Sequence, residues 1–343
     1  MYLSRTLAAL PVALSLVVGC ASSTPQDGGN DAGSSTGGKP GFYVSGRFLY
    51  DKCGNKVVLR GVNEMIIWSS NQDGSTIYPE IAKTGANVVR IVWNATGTAS
   101  TLDATIKNAL DQKLIPLVED HDATGDITKV PAVVDYWLQS DIVAVLKKYE
   151  DKILLNIANE AGATVDQDTY ASTYTTAIQR LRDAGCRMPL VIDAPRYGTD
   201  IGTLLNAGPT LIAADPLANI LLSVHLYWAD PAGDVTRARL ADAVTANMPL
   251  MVGEFADTKV GTCAHGSYDV GALMDAAQQN QIGWLAWSWG AVKNSDCTGM
   301  LDMSSDGTFA GLKDWGLAVA TTDTNSIKNT SVLDPYIVSG SCN

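Results

Sequence analysis

The sequence predicts an α/β protein in which eight parallel strands close into a (β/α)8 barrel. Eight short apolar runs recur along the chain, and helix-like spacing of apolar residues separates many of them. The repeat is about 30 residues long, as a parallel strand–helix unit requires. Most runs are continuously apolar, which is typical of strands covered by helices on one face and by the barrel interior on the other.

Each element has its own apolar run or helical pattern. The predicted strands are Val57–Asn63, Asn87–Trp93, Leu114–Glu119, Ile153–Asn156, Leu190–Asp193, Ile220–Val224, Leu250–Gly253 and Gly283–Trp287. The clearest helical segments are Leu102–Gln112, Val133–Tyr149, Tyr170–Ala184, Val235–Ala246 and Val270–Gln279. Eight units in about 300 residues favour a closed barrel over a doubly wound sheet. A doubly wound sheet would also need a glycine-rich phosphate turn after its first strand, and Arg60-Gly-Val-Asn-Glu64 is not one.

The N-terminal residues 1–19 are predicted to be an export signal, because Arg5 precedes the apolar run Leu7–Val18. The run ends in Val17-Val18-Gly19-Cys20, which resembles a bacterial lipobox and predicts a lipid on Cys20. A plain signal peptide cut near Ala21 is the alternative. Either reading predicts an exported protein, lipid-anchored to a bacterial membrane or secreted.

Two further segments follow the export signal. Residues 20–40 are rich in Gly, Ser and Asp, a composition that predicts a flexible linker. Residues 41–343 are even in composition and are predicted to be one folded domain. A small β-hairpin around Ser45-Gly46 opens this domain.

The charge of the chain bears on its binding partners, and its cysteines bear on disulfide formation. The formal net charge is −12 and no cluster of Lys or Arg occurs, which argues against nucleic acid. Export makes disulfides possible. We expect Cys263 to pair with Cys297, because both lie in successive late loops, and Cys53 to pair with Cys342, which leaves Cys186 as a buried thiol.

Polar and aromatic side chains follow most predicted strands. Since the carboxyl ends of all barrel strands meet at one face, these side chains are expected to surround one site. They are Asn63, Glu64 and Trp68 after the first strand, Arg90, Trp93 and Asn94 at the second, Glu119-Asp-His-Asp122 at the third, Asn159-Glu160 after the fourth, His225-Leu-Tyr-Trp228 after the sixth, Glu254 after the seventh and Trp287-Ser-Trp289 at the eighth.

Glu160 and Glu254 are the strongest candidates for chemistry. They follow strands four and seven, which face each other across the barrel mouth, and retaining glycosidases hold two carboxyl groups about 5–5.5 Å apart. One group must hold a proton to act as acid, and the other must be ionised to act as nucleophile. Hydrogen bonds from Arg90 and the hydroxyl of Tyr227 are expected to support the ionised group.

Ordered motifs along the chain resemble those of glycoside hydrolase family 5, whose clan places its nucleophile and acid/base at strands seven and four. The motifs lie between Gly41 and about Gly316: Arg60-Gly-Val-Asn63, Thr84-Gly-Ala-Asn-Val-Val-Arg-Ile91, His121-Asp-Ala-Thr-Gly125, Asn156-Ile-Ala-Asn-Glu160, His225-Leu-Tyr-Trp228, Gly253-Glu-Phe255 and Trp284-Leu-Ala-Trp-Ser-Trp289. Within the family, the sequence looks most like bacterial endo-β-1,4-mannanases. The resemblance implies endo-acting, retaining hydrolysis of β-1,4-mannan by double displacement.

The resemblance also implies a role for each site residue. Glu160 would be the acid/base, Glu254 the nucleophile and Asn159 the partner of the sugar 2-hydroxyl. The remaining residues expected to bind substrate or support the pair are Arg90, His121, His225, Tyr227, Trp68 and Trp287, the last as a stacking platform.

Alternatives remain open at the level of the sequence. Asn63-Glu-Met-Ile-Ile-Trp68 stands where those mannanases carry Asn-His-x-His-x-Trp, so a β-1,4-glucanase (cellulase) or a glucomannan preference is the main alternative. A noncatalytic glycan-binding surface lipoprotein is disfavoured because both glutamates are present, and transglycosylation would use the same residues. No cofactor or metal is predicted, because the histidine spacing matches no metal site. The expected partner is a β-1,4-glycan, bound by a monomer.

Overall fold

The computed structural model describes residues 39–257 and 268–342. Within these ranges, eight parallel strands close into a barrel, which confirms the predicted fold. Three short antiparallel strands come first: β1 (Tyr43–Ser45), β2 (Phe48–Tyr50) and β3 (Lys56–Val57). The barrel strands are β4 (Arg60–Glu64), β5 (Val88–Trp93), β6 (Ile115–Asp120), β7 (Leu154–Asn156), β8 (Leu190–Asp193), β9 (Ile220–Leu226), β10 (Leu250–Phe255) and β11 (Gly283–Ala286).

Each barrel strand pairs with the next along the chain, and β11 closes the circle by pairing with β4. The helices are α1 (Tyr78–Ala82), α2 (Ala99–Asp111), α3 (Val130–Trp137), α4 (Ser140–Lys148), α5 (Gln167–Asp183), α6 (Ile201–Ala214), α7 (Asp234–Thr245), α8 (Val270–Asn280), α9 (Asp314–Leu317), α10 (Ile327–Thr330) and α11 (Pro335–Ser339). Short 3-10 turns span Ile66–Trp68, Ile127–Lys129 and Asp296–Gly299, and a π-helical turn spans Ala318–Thr322.

Several barrel helices begin at a side chain that accepts a backbone N–H of the first turn, as good N-caps do. These capping residues are Thr98 for α2, Asp166 for α5, Asp200 for α6 and Asp269 for α8.

Among the described residues, no helix combines the length and the apolar composition of a membrane span.

Two predicted elements are divided in the structure. The first predicted strand began at Val57, but Val57 pairs with Leu49 in the small N-terminal sheet, and the barrel strand starts at Arg60. The predicted hairpin is therefore a three-stranded sheet. The predicted helix Val133–Tyr149 is two helices, because the backbone of Gln139, with ψ 137°, is not helical.

The N-terminal sheet covers the end of the barrel where the strands begin. Phe42, Leu49 and Val57 pack in one apolar cluster with residues near the strand starts, such as Leu154 and Leu221. The opposite end of the barrel is left for the polar strand ends.

A disulfide between Cys53 and Cys342 joins this sheet to the C-terminus, as predicted, across a sequence separation of 289 residues. Cys186 is a buried free thiol, also as predicted. Cys263 lies outside the described residues, so its pairing with Cys297 stays a prediction.

Candidate active site

A cleft of about 600 Å³ opens at the carboxyl ends of the barrel strands. Both glutamates singled out from the sequence line it, together with several of the expected neighbours. Its lining residues are His121, Thr124, Asn159, Glu160, Arg196, Tyr197, Thr199, Tyr227, Glu254, Trp287 and Leu301.

Glu160 lies in the loop after β7 with a left-handed backbone, φ 46°. This conformation costs a non-glycine residue about 1–3 kcal/mol and persists only where surrounding contacts enforce it. The backbone N–H of Glu160 is donated to Asp193 Oδ2 at 3.2 Å, and its carbonyl accepts the N–H of Gly125 at 3.0 Å. The loop thus holds the carboxyl group at the cleft floor.

Glu254 lies on β10, where the pairing with β9 shifts register between Val252 and Glu254. Gly253 makes the shift possible, since a Cβ there would lie 2.3 Å from Ser223 Oγ and 2.8 Å from His225 Nε2. Such an irregularity re-aims the following side chain. Oε1 of Glu254 accepts a hydrogen bond from Arg90 at 2.7 Å, and Oε2 accepts one from Tyr227 at 2.8 Å.

His225 lies between the two glutamates. Its Nδ1 is 2.6 Å from Glu160 Oε1 and 3.5 Å from Glu254 Oε1. Burial lowers the pKa of His225, but the charges of Glu254 and Asp193, with hydrogen bonds to Asp193 and Glu160, raise it to about 10. At neutral pH the ring is therefore a buried cation between two carboxyl groups.

The three side chains Glu160, His225 and Glu254 each offer one ligand atom, and these atoms all lie within 4.8 Å of one another. Such a group could hold a metal ion by spacing alone. A doubly protonated imidazole, however, has no lone pair to give to a metal. In its protonated form, His225 instead lies between the two carboxyl groups, 2.6 Å from one and 3.5 Å from the other.

Arg90 occupies the centre of the polar network at the barrel mouth and is 1% exposed. Burial lowers its pKa, but the charges of Glu119, Asp193 and Glu254 raise it overall. Besides Glu254, its guanidinium donates to Asn63 Oδ1 at 3.0 Å, Asn156 Oδ1 at 2.8 Å, Asn159 Oδ1 at 2.7 Å and Asp193 Oδ2 at 3.3 Å. Arg90 therefore fixes the orientation of Glu254 and Asn159 together.

Asn159 and His121 flank the glutamates from the side of β6. The amide nitrogen of Asn159 donates to Thr124 Oγ1 at 2.9 Å and lies 3.5 Å from His121 Nε2. Nδ1 of His121 is 2.9 Å from Glu119. Burial lowers the pKa of His121, but the charge of Glu119 and its hydrogen bond raise it above the ordinary value.

Aromatic rings form one wall of the cleft. Trp287 is 7% exposed and stacks on His121, with ring centroids 5.9 Å apart and planes 14° from parallel. Trp68 is 50% exposed and meets His121 edge-on at 5.5 Å. Trp287 is thus fixed beside the pair, whereas Trp68 stands at the solvent edge.

Glu64, the last residue of β4, is fully buried and does not line the cleft. Its carboxylate accepts the backbone N–H groups of Ala291 at 3.2 Å and Val292 at 3.1 Å. These contacts hold the loop that follows Trp287, so Glu64 supports the aromatic wall from behind.

Sequence reasoning missed two residues of the network, Asn156 and Asp193. Both are fully buried, and both close predicted apolar strands. That position was the available signal: a polar residue at the carboxyl end of a barrel strand points toward the site or its support.

Residues 50–293 match the family model described as cellulase (glycosyl hydrolase family 5). The chain belongs to glycosyl hydrolase family 5. It is therefore a glycoside hydrolase. The family resemblance inferred from the strand-end motifs is confirmed.

Family 5 relatives resemble this chain over most of its length. The mannan endo-1,4-beta-mannosidase of Salipaludibacillus agaradhaerens is 34% identical over 284 residues, which cover 80% of this chain and 89% of that enzyme. The enzyme of the same name from Cellvibrio japonicus is 34% identical over 303 residues, covering 85% and 68%. The mannohexaose complex of Thermomonospora fusca beta-mannanase has a TM-score of 0.77 at 29% identity and covers 87% of this chain and 99% of its own.

Proposed function

We propose that this protein is an endo-β-1,4-mannanase that retains anomeric configuration by double displacement. The observation that carries the proposal is the spacing of Glu160 and Glu254, whose nearest ligand atoms lie within 4.8 Å of each other. This spacing suits a nucleophile and an acid/base on opposite sides of one glycosidic bond, whereas inverting enzymes need room for a water between the groups.

In the first step, Glu254 attacks the anomeric carbon and the bond to the leaving oxygen breaks, while Glu160 gives its proton to that oxygen. A covalent glycosyl–enzyme ester and a shortened chain result. In the second step, Glu160 takes a proton from water, whose oxygen attacks the anomeric carbon and releases Glu254. Asn159 lies beside Glu160 with its amide oriented by Arg90 and Thr124, which suits it to bind the sugar 2-hydroxyl.

The unequal surroundings of the two glutamates support this division of roles. Arg90 and Tyr227 each donate to one oxygen of Glu254, and hydrogen bonds to a carboxylate favour its ionised form. Glu160 receives neither of these two hydrogen bonds, although His225 Nδ1 lies 2.6 Å from its Oε1, and it is the more exposed of the pair, with 11% of its side chain accessible against 4% for Glu254. Its position suits a group that must reach the leaving oxygen and later a water.

Mannan is the proposed polymer because the relatives covering most of this chain carry mannanase names. The segment Asn63–Trp68, which differs from the usual mannanase motif, is compatible with this choice. Glu64 faces the loop after β11 and is absent from the cleft lining, so it presents no charge to the sugar. A β-1,4-glucanase remains the second candidate, favoured by the description of the family model as cellulase.

Endo action is supported by the continuation of the cleft. A second cavity of about 410 Å³ shares Arg196, Thr199 and Tyr227 with the cleft and extends to Trp228 and Arg239. A polymer chain therefore has room to run past the catalytic pair.

A lipid anchor on Cys20 and a monomeric state are further parts of the proposal. Mass spectrometry of the parent protein and a Cys20→Ala variant would test the lipid, and sedimentation would test the monomer.

Release of reducing ends from mannan, glucomannan and carboxymethylcellulose tests the substrate. We expect rapid cleavage of mannan with mid-chain products, and cleavage of the cellulose derivative alone would overturn the choice of polymer.

Azide, as an external nucleophile, tests the roles of Glu254 and Glu160. With an activated mannoside, Glu254→Ala should form the α-mannosyl azide by direct attack, whereas Glu160→Ala should form the β-mannosyl azide by attack on the ester. The opposite pattern would exchange the two roles.

A further inference from the structure

Asp193 is a fully buried carboxylate at the end of β8 that does not line the cleft. Its Oδ2 lies 3.3 Å from Arg90 Nη2 and accepts the backbone N–H of Glu160 at 3.2 Å. Its Oδ1 lies 3.5 Å from His225 Nε2. Since Arg90 binds Glu254 and His225 binds Glu160, one carboxylate contacts a neighbour of each proposed catalytic group.

We propose that Asp193 is a positioning residue that keeps His225 protonated between the two glutamates and fixes Arg90 on the nucleophile. The inference rests on the proposed reaction of Glu160 and Glu254. Nε2 of His225 lies 3.5 Å from Oδ1 of Asp193 and, in the part of the chain that the structure describes, makes no hydrogen bond to any other group. An imidazolium without this neighbour would leave a buried N–H unpaired, which is unfavourable. A hydrogen bond from Ser223 also helps to lower the pKa of Asp193.

Charged groups face the imidazole from several strands. Glu160 comes from the loop after β7, Asp193 from β8 and Glu254 from β10, and Arg90 on β5 bridges the last two. The charges of Glu254 and Asp193 both raise the pKa of His225, and the charges of His225 and Arg90 help to lower the pKa of Asp193 to about 2 against the effect of burial. The two groups therefore hold each other in the charged state.

This arrangement has a chemical consequence for Glu160. When Glu160 gives its proton to the leaving oxygen, a carboxylate forms 2.6 Å from Nδ1 of His225. A cation already fixed at that distance stabilises the new charge without reorganisation. Asp193, on the far side of the ring, supplies the negative charge that keeps this cation in place.

Histidine NMR titration of the full chain, combined with kinetics on mannan, tests the inference through Asp193→Asn, which keeps the shape and removes the charge. The sequence contains three histidines, so single His121→Asn and His265→Asn variants assign the ring signals. In the parent protein we expect His225 to stay protonated up to at least about pH 8. In Asp193→Asn it should deprotonate at lower pH, and kcat should fall about 10- to 100-fold while KM changes little.

Asp215→Asn is the matched control. Asp215, at the end of α6, is also a buried carboxylate, and it pairs with Arg182 of α5 at 2.8 Å. Its replacement should lower stability but leave the His225 titration and kcat unchanged.

Several outcomes would overturn the role of Asp193. One is a titration of the His225 ring below about pH 7 in the parent protein. This measurement does not depend on whether Asp193→Asn folds. Another is an Asp193→Asn protein with the parent's titration and kcat. Absence of any mannan cleavage by the parent protein would instead overturn the proposed function, because the titration is independent of substrate.

Discussion

Tyr227 donates its hydroxyl hydrogen to Oε2 of Glu254 at 2.8 Å, on the carboxylate oxygen opposite the one that Arg90 binds. Burial raises the pKa of Glu254 above its ordinary value, although the charges of His225 and Arg90 act in the opposite direction. The ionised form of Glu254, the proposed nucleophile, thus depends on its immediate donors, and the loss of one should be visible in the pH dependence of the reaction.

Replacing Tyr227 by Phe removes one donor from Glu254. A hydrogen bond to a charged group contributes about 1.5–3 kcal/mol, so we expect kcat/KM to fall about 10- to 100-fold. Because the carboxylate loses a stabilising donor, its pKa should rise further, and the acidic limb of kcat/KM against pH should move to higher pH. Tyr78→Phe is the control, since it deletes a buried hydroxyl that bonds to Thr105 instead. An acidic limb that stays in place in Tyr227→Phe contradicts the prediction.

Trp287 and Trp68 are expected to differ in their effect on the reaction. Trp287→Ala removes a buried ring beside the proposed catalytic pair and should lower kcat/KM on mannohexaose at least about tenfold. Trp68→Ala removes a half-exposed ring and should mainly raise KM, by a smaller factor. Steady-state kinetics of both variants decides the matter, and equal losses in kcat would refute the distinction.

Glu64 should make the stability of the protein depend on pH. Burial raises its pKa from 4.5 to about 7, against the hydrogen bonds of Val292 and Ala291 that lower it. The folded protein therefore binds more protons than the unfolded chain between these values, and this contribution to stability is lost as pH rises through that window. Each pKa unit corresponds to about 1.4 kcal/mol.

A Glu64→Gln variant tests this by removing the titration. The free energy of unfolding in urea, measured at about pH 5 and pH 8, should favour the parent over the variant more strongly at the lower pH. A difference that grows toward alkaline pH would show the reverse linkage.

The Cys53–Cys342 disulfide should contribute to stability without affecting catalysis. It closes a loop of 289 residues, and removing such a bridge costs about 2–5 kcal/mol. A Cys53→Ser/Cys342→Ser variant should therefore melt at a lower temperature but keep kcat at temperatures where it is folded. Cys186→Ala is the control for loss of a cysteine outside this bridge. A large loss of kcat in the folded double variant would mean that the bridge acts on the cleft.

The barrel and the two glutamates were predictable because each rests on a local pattern. Continuous apolar runs identify the strands, and a polar residue directly after a run lies at the functional face. Asp193 also ends a predicted strand, but no recognisable motif distinguished it from other polar strand ends. Its importance arises from contacts with Arg90 and His225, which come from strands far apart in the sequence.

The third strand of the N-terminal sheet shows why strand boundaries were harder to predict from the sequence. Lys56 and Val57 continue directly toward Arg60, so the sequence reads as one strand. The structure breaks it because Val57 gains burial against Phe42 and Leu49, beneath the barrel, while Arg60 begins the barrel strand. A competition between two sheets for neighbouring residues is decided by packing across the fold, and local propensity does not contain that information.

The N-terminal sheet also determines how the enzyme is best attached to a solid support. The described chain enters at Lys39, next to the sheet that covers the closed end of the barrel, and the polysaccharide cleft opens at the other end. A bead, electrode or fusion partner joined ahead of Lys39 would therefore be connected on the side away from the cleft. Immobilisation through this end should leave access for a long polymer unobstructed, whereas coupling through residues around Tyr197 should block it.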